Sequence, residues 1–207
     1  MNRPPGRNGA AFTDGEDGDQ RNDLTARSAV SSWLGISRRW ATVRQVHGNR
    51  IVKVTEPGEW GEADGLWTDR AGLPLAVFTA DCFGVVLTAD GAVGVAHVGW
   101  RGAAAGVVTV LRAEMADQGH DSSAAAIGPG IGPCCFEVGV EVAERFPMEL
   151  TSTTWGTSSV DLASSIRREL DGLEVWLAGA CTVHNPGLFS HRENQTLLRM
   201  ASVGWRP

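Results

Sequence analysis

Three side chains able to hold a metal ion stand near glycine turns in this chain. They are His47 in Arg-Gln-Val-His-Gly, Cys82 in Thr-Ala-Asp-Cys and His97 in Ala-His-Val-Gly-Trp-Arg-Gly. Two imidazoles and a thiolate give three protein ligands and leave a fourth tetrahedral position to water or substrate, the pattern of a catalytic zinc. The intervals of 35 and 15 residues match no short zinc motif, so taken singly each remains open to a plainer reading as a part-buried side chain. Two other chemistries would use the same atoms. A His/His/Cys set also suits copper, which outcompetes zinc on affinity. Against an oxidase, five histidines without a His-x-His pair cannot supply a multicopper cluster, and the first methionine after His97 is Met115, inside a predicted helix. Without a metal, Cys82 with His97 as its base would form a thiol nucleophile. Asp81, next to Cys82, is either an acid/base group or a carboxylate that caps a turn or orients a histidine.

The remaining thiols and imidazoles receive simpler readings. Cys134 and Cys135 are adjacent, badly placed for an ordinary bridge, and follow the Gly128–Pro133 loop; they are expected to pack that loop as small buried thiols. Cys181 reads as a core cysteine, and His184 and His120 as exposed or satisfied histidines. The loop lacks the Lys-Ser/Thr ending of a phosphate loop and is expected to be a close-packed turn.

Elements that would position these residues follow from periodicity. Thr42 to His47 alternates, Gly48-Asn49 supplies a turn and Ile51 to Val54 runs back, which predicts a hairpin. Leu73 to Thr79 and Val85 to Thr88 read as buried strands, and Asp90-Gly91 turns into a strand from Val93 to His97. Apolar residues at helical spacing predict helices over Ala26–Leu34, Gly102–Gly119, Gly139–Phe146 and Val160–Leu170. Ala124–Ile127, Glu174–Ala180 and Arg199–Trp205 complete the strands. Residues 1–28 are polar and glycine-rich, so a loose N-terminal arm is expected before a single catalytic domain over 29–207. The pattern is α/β: mixed sheet with helices packed outside.

Several ordered motifs make the chain recognisable. Val43-Arg-Gln-Val-His-Gly48, Ala63-Asp-Gly-Leu66, Thr79-Ala-Asp-Cys82, Ala96-His-Val-Gly-Trp-Arg-Gly102 and Ile127-Gly-Pro-Gly-Ile-Gly-Pro-Cys-Cys-Phe-Glu-Val-Gly139 are followed by Phe189-Ser-His-Arg192 and Arg199-Met-Ala201. Together they resemble the family called multicopper polyphenol oxidase (laccase-like) or peptidoglycan editing factor, now mostly described as purine nucleoside phosphorylases. The resemblance covers about Ala41 to Trp205. It implies a multilayer sandwich of packed mixed sheets with helices on the outer faces, a fold shared with cysteine-hydrolase toxins. It also implies one zinc on His47, Cys82 and His97, and phosphorolysis of adenosine, inosine and S-methyl-5'-thioadenosine with adenosine deamination as a side activity. Arg44, Arg101, Arg192 and Arg199 fall in or beside the family's motifs, and a guanidinium fork suits phosphate. The plainer reading of those arginines is ion pairing with the surplus acids. Editing of a peptidoglycan precursor would belong to the amide-cleaving Cys82/His97 alternative.

Departures from the family pattern are local. The N-terminal region is shorter, with only a polar stretch from Asn8 to Asp23. The usual Thr-Gly-Arg appears as Leu197-Leu198-Arg199, and His191 stands where a tyrosine is usual. The zinc triad is unaltered.

Charge and composition exclude whole classes. A net charge of −6 without a basic run argues against nucleic acid as a partner. No apolar stretch approaches the roughly 20 residues of a spanning helix, and the polar start does not resemble a secretory signal. A cytoplasmic monomer or homodimer is expected, and the resemblance implies purine nucleosides and phosphate as its small-molecule partners.

Overall fold

The computed structural model describes residues 1–5 and 9–207. Its strands are β1 (Ala10–Phe12), β2 (Ala41–Arg44), β3 (Ile51–Lys53), β4 (Gly58–Glu62), β5 (Gly65–Thr68), β6 (Leu75–Thr79), β7 (Phe83–Ala89), β8 (Ala92–Val98), β9 (Ser122–Ile127), β10 (Leu150–Ser152), β11 (Ser158–Val160), β12 (Glu174–Leu177) and β13 (Met200–Gly204). The helices are α1 (Leu24–Leu34), α2 (Trp100–Ala104), α3 (Val107–Ala116), α4 (Val140–Ala143), α5 (Leu162–Glu169) and α6 (His191–Asn194). One mixed sheet has the order β1-β13-β6-β2-β4 and a second β12-β9-β7-β8-β5-β3, with β10 and β11 forming a separate pair.

The two sheets lie face to face. Phe12, Val43, Leu75 and Val77 of the first meet Leu66, Val86 and Val95 of the second in a shared apolar layer. Outside the second sheet, α3 and α5 cover Val85 and Leu87 with Val107, Leu111, Met115 and Ile166. Outside the first, Val30 of α1 packs with Trp40, Phe78 and Val203. The result is a sandwich of packed mixed sheets with helices on both outer faces. Strands buried on both sides require continuous apolar runs such as Leu75-Ala-Val-Phe and Ala92 to Val98. The sheets approach so closely that a Cβ on Gly84 would lie 1.9 Å from Ser202 Oγ; glycine alone fits there.

Local signals account for the helix boundaries. The Asp23 carboxylate accepts from Thr25 N and Ala26 N at the start of α1, and Gly35 at φ 70° ends it. The helix predicted over Gly102–Gly119 is split into α2 and α3 because Gly106 adopts φ 69° between them.

Two sequence expectations are corrected. Residues 42–54 do not form a hairpin: β2 belongs to the first sheet and β3 to the second, and the chain crosses between the sheets through His47. Nor is the 1–28 segment a loose arm, residues 6–8 of which lie outside the described residues. Ala10, Ala11 and Phe12 are buried and pair antiparallel with Gly204, Val203 and Ser202 of β13. Three small or aromatic residues in polar surroundings carry no periodicity, and their partner strand lies at the far end of the chain.

Candidate active site

The same crossing recurs at Cys82. β6 ends at Thr79 in the first sheet and β7 starts at Phe83 in the second, so Cys82 also sits on a bridge between sheets. His97, in contrast, lies inside β8 and is only 3% exposed. The donor atoms of His47, Cys82 and His97 all fall within 4.8 Å of one another. The two imidazole rings meet edge to face with centroids 4.8 Å apart.

A residue outside the sequence-predicted site set holds this arrangement. Asp64 is fully buried, and its carboxylate accepts from His47 N at 2.8 Å, Gly48 N at 2.6 Å and Val46 N at 3.2 Å. It also bonds His97 Nδ1 at 2.9 Å. These bonds fix His47 at φ 62°, a left-handed conformation costing about 1 kcal/mol for a non-glycine residue. They also put the Nδ1 proton of His97 on the carboxylate side, leaving Nε2 as the donor towards the centre. Asp64 was visible in Ala63-Asp-Gly-Leu66, but nothing local in that motif connects it to His47 or His97.

Electrostatics match the geometry. Burial opposes ionisation of Cys82, yet hydrogen bonds from His47 and His97 and their charges overcome it and bring the thiol down to about 6. Burial likewise opposes a charged His97, but Asp64 and the Cys82 thiolate raise it to about 9. Asp64 itself is held below the usual carboxylate range by His97 and the backbone N–H groups, against its burial.

The donor set fits a metal ion. Three convergent donors, one of them a ready thiolate, are backed by a carboxylate–histidine pair of the kind that supports metal ligands. Gly99 closes the cradle: a Cβ there would lie 3.0 Å from His47 Cδ2 and 3.1 Å from Cys82 Sγ.

A cavity of about 330 Å³ opens onto these residues. Gln45 stands at its edge, exchanging bonds of 2.7 and 2.8 Å with the Phe78 backbone and so extending the pairing of β2 with β6. Phe78, Ile131 and Phe136 give the cavity an apolar wall, and Arg21, His191, Arg192 and Arg199 a basic one. No ion pair ties these three arginines to a carboxylate among the described residues. Burial and the neighbouring Arg21 charge lower the Arg199 guanidinium below its usual range.

The other predicted residues are distributed differently. Asp81, at φ 83°, accepts from Thr182 Oγ1 at 2.6 Å, Ser190 Oγ at 2.7 Å and Arg192 N at 2.6 Å. Both of its oxygens are engaged, and it ties the segment before α6 to the cavity. Arg44 pairs with Glu62 at 3.2 Å on the exposed surface, and Arg101 lies over the Trp100 ring at 4.1 Å; neither lines the cavity. The arginine that motif reading missed is Arg21. It reaches the cavity because Gln20 N bonds Arg199 O and Asp19 accepts from Arg199 N, seating the N-terminal segment beside β13.

Comparison with known proteins gives a consistent result. The chain is 32% identical over 222 residues to purine nucleoside phosphorylase YlmD of Geobacillus stearothermophilus, covering 91% of this chain and 81% of that protein. It is 34% identical to a purine nucleoside phosphorylase of Streptomyces coelicolor, covering 91% and 84%. The crystal structure of Geobacillus YlmD superposes with a TM-score of 0.87 at 30% identity, over 99% of this chain and 94% of that one. YfiH of Bacillus licheniformis superposes with a TM-score of 0.86 at 26% identity, over 95% and 92%. The profile described as multi-copper polyphenol oxidoreductase laccase matches residues 11–207, and with that span of the chain covered, the protein belongs to this laccase-like family, which implies a metal.

Proposed function

We propose that this chain is a zinc-dependent purine nucleoside phosphorylase, cleaving adenosine, inosine and S-methyl-5'-thioadenosine with phosphate. The observation that carries the reading is one cavity joining three convergent metal-capable donors to three arginines whose guanidinium groups form no ion pair among the described residues. The names of the relatives point the same way.

His47, Cys82 and His97 would hold the zinc, which supplies a Lewis-acid centre when bound. Arg192, Arg199 and Arg21 bind the phosphate dianion with charge-assisted bonds. Phe78, Ile131 and Phe136 take the purine face and exclude water from it. A phosphate oxygen forms the new bond to the anomeric carbon as the bond from that carbon to the purine nitrogen breaks, and the electron pair leaves with the base. His191, the cavity histidine outside the ligand set, is assigned the proton that the departing purine requires. Asp81 acts as a positioning residue, holding Ser190, Thr182 and the backbone of Arg192.

A second reading has its own support. The depressed Cys82 thiol beside a charged His97 also suits a thiol nucleophile acting on an amide. Incubation with adenosine, with and without phosphate, and identification of products by mass separates the readings. Phosphate-dependent adenine and ribose 1-phosphate support phosphorolysis. Inosine without free base indicates deamination alone. No nucleoside turnover, together with cysteine-dependent cleavage of a muramyl amide, overturns the proposal.

A further inference from the structure

The four residues given simple structural readings from sequence come together in space. Cys134, Cys135, Cys181 and His184 place one donor atom each within 4.8 Å of all the others. Cys135 Sγ lies 3.5 Å from Cys134 Sγ and 3.3 Å from His184 Nε2, and Cys134 Sγ lies 3.6 Å from His184 Nδ1. A tetrahedral zinc with bonds of about 2.3 Å to sulfur and about 2.0–2.1 Å to nitrogen spaces its donors about 3.5–3.8 Å apart. The Cys134–Cys135 and Cys135–His184 Nε2 separations are close to that figure, and the four donors all lie within 4.8 Å, so a small inward movement would complete the set. All four cysteines of the chain are free.

The surroundings are built around the sulfurs. Gly132 N donates to Cys181 Sγ at 3.2 Å, and a Cβ on Gly132 would lie 3.1 Å from Cys134 Sγ and 3.2 Å from Cys181 Cβ. A side chain there would press on both thiol-bearing residues, and glycine leaves them room to meet. Thr154 N and Oγ1 both donate to Cys134 O, and Ser159 Oγ donates to Pro133 O at 2.6 Å, which fixes the turn carrying the paired cysteines. Thr182 N bonds Gly130 O and Gly130 N bonds Ala180 O, holding the Cys181 segment alongside.

We propose that Cys134, Cys135, Cys181 and His184 form a second, structural zinc site, separate from the His47/Cys82/His97 centre. Three thiolates and one imidazole close the coordination shell and leave no position for substrate. Both ring nitrogens of His184 now meet a sulfur, Nε2 that of Cys135 and Nδ1 that of Cys134, and metal binding would keep one of them as the ligand. The metal replaces the protons of the thiols, so its binding releases them. Its role follows from what it joins. The Gly130–Phe136 segment carries Ile131 and Phe136 into the cavity, and the segment after Cys181 carries Thr182, Ser190 and Arg192 to Asp81. An ion between them clamps one wall of the catalytic cavity without touching substrate.

Zinc stoichiometry of the intact protein, read by elemental analysis, tests the proposal. Two equivalents are expected in the wild type, one in Cys82→Ala and one in the double variant Cys134→Ser/His184→Ala. A wild type with one equivalent, all of it lost in Cys82→Ala, overturns the proposal. Cobalt substitution in the Cys82→Ala background keeps the test independent of whether the double variant folds. There an intense thiolate-to-cobalt band can arise only from Cys134, Cys135 and Cys181, and it is expected at one equivalent of cobalt. Absence of that band overturns the proposal, and so does a metal-free protein carrying a Cys134–Cys181 disulfide by mass analysis.

Discussion

Two clusters of cysteine and histidine border the same Gly130–Phe136 segment, yet they are prepared in opposite ways. Around Cys82 a buried carboxylate, Asp64, organises the histidines, and the thiol is pulled down to about 6. Around Cys135 burial and two neighbouring sulfurs push the thiol up to about 12, burial also raises Cys134, and only Cys181 is lowered, through backbone N–H groups acting against its burial. No carboxylate bonds His184 among the described residues. The first site holds charge before any metal arrives, as a reactive centre must. The second ionises fully only when a cation takes the place of its protons. In the proposed roles, catalysis and scaffolding use the same residue types, and the groups bonded to those residues separate them.

The largest effect should come from removing the prepared thiolate. Cys82→Ala is expected to lower phosphorolysis at least about a thousandfold, because one of three ligands and the charge it carries are both lost. Cys134→Ser should leave kcat within a few-fold. Equal losses in steady-state assays of the two variants would erase the distinction between the sites.

Asp64→Asn tests what prepares the first site. Losing such a histidine partner typically costs about 10–100-fold in metal affinity, and competition with a chromophoric chelator should read a loss of that size. The cavity arginines come next. Arg199→Ala or Arg192→Ala should raise the KM for phosphate about tenfold, as expected for one charge-assisted bond, while Arg44→Ala, paired with Glu62 on the surface, should leave it unchanged.

Thiol reactivity sharpens the comparison without any mutation. In metal-stripped protein, alkylation of Cys82 by iodoacetamide should rise with pH to half its maximum near pH 6, because the thiolate is the attacking form. Cys135, pushed up to about 12, should stay inert at neutral pH. Peptide mapping across a pH series gives both values, and a Cys82 midpoint above pH 8 would contradict the assigned ion pair. The smallest expected effect is on stability. Loss of the Cys134 ligand should lower Tm by several degrees, since about 1 kcal/mol corresponds to about 2–4 °C for a chain of this length.

Much of the architecture was legible because burial leaves periodic marks. The β7–β8 hairpin with its Asp90-Gly91 turn, β9, α5 and β13 lie where apolar runs and turn residues put them. The hairpin expected over 42–54 was not legible, since a turn dipeptide between apolar segments looks the same whether the second strand returns to its own sheet or crosses to another. Asp81 shows a similar ambiguity. Its position beside Cys82 left an acid/base role open, and only the bonds from Thr182, Ser190 and Arg192 show a carboxylate already fully engaged.

The sequence by itself determined the strand-rich middle, the helices outside it and the three metal-capable residues of the motifs, because these are set by residue type and short-range order. Tertiary structure alone decided which arginines reach the cavity, that Asp64 stands behind His97, and that Cys134, Cys135, Cys181 and His184 converge. Arg21 is seated by Gln20 and Asp19 against Arg199, near the other end of the chain. His184 meets cysteines 49 and 50 residues away. Contacts of that range arise from sheet order and loop closure, which no window of neighbouring residues records.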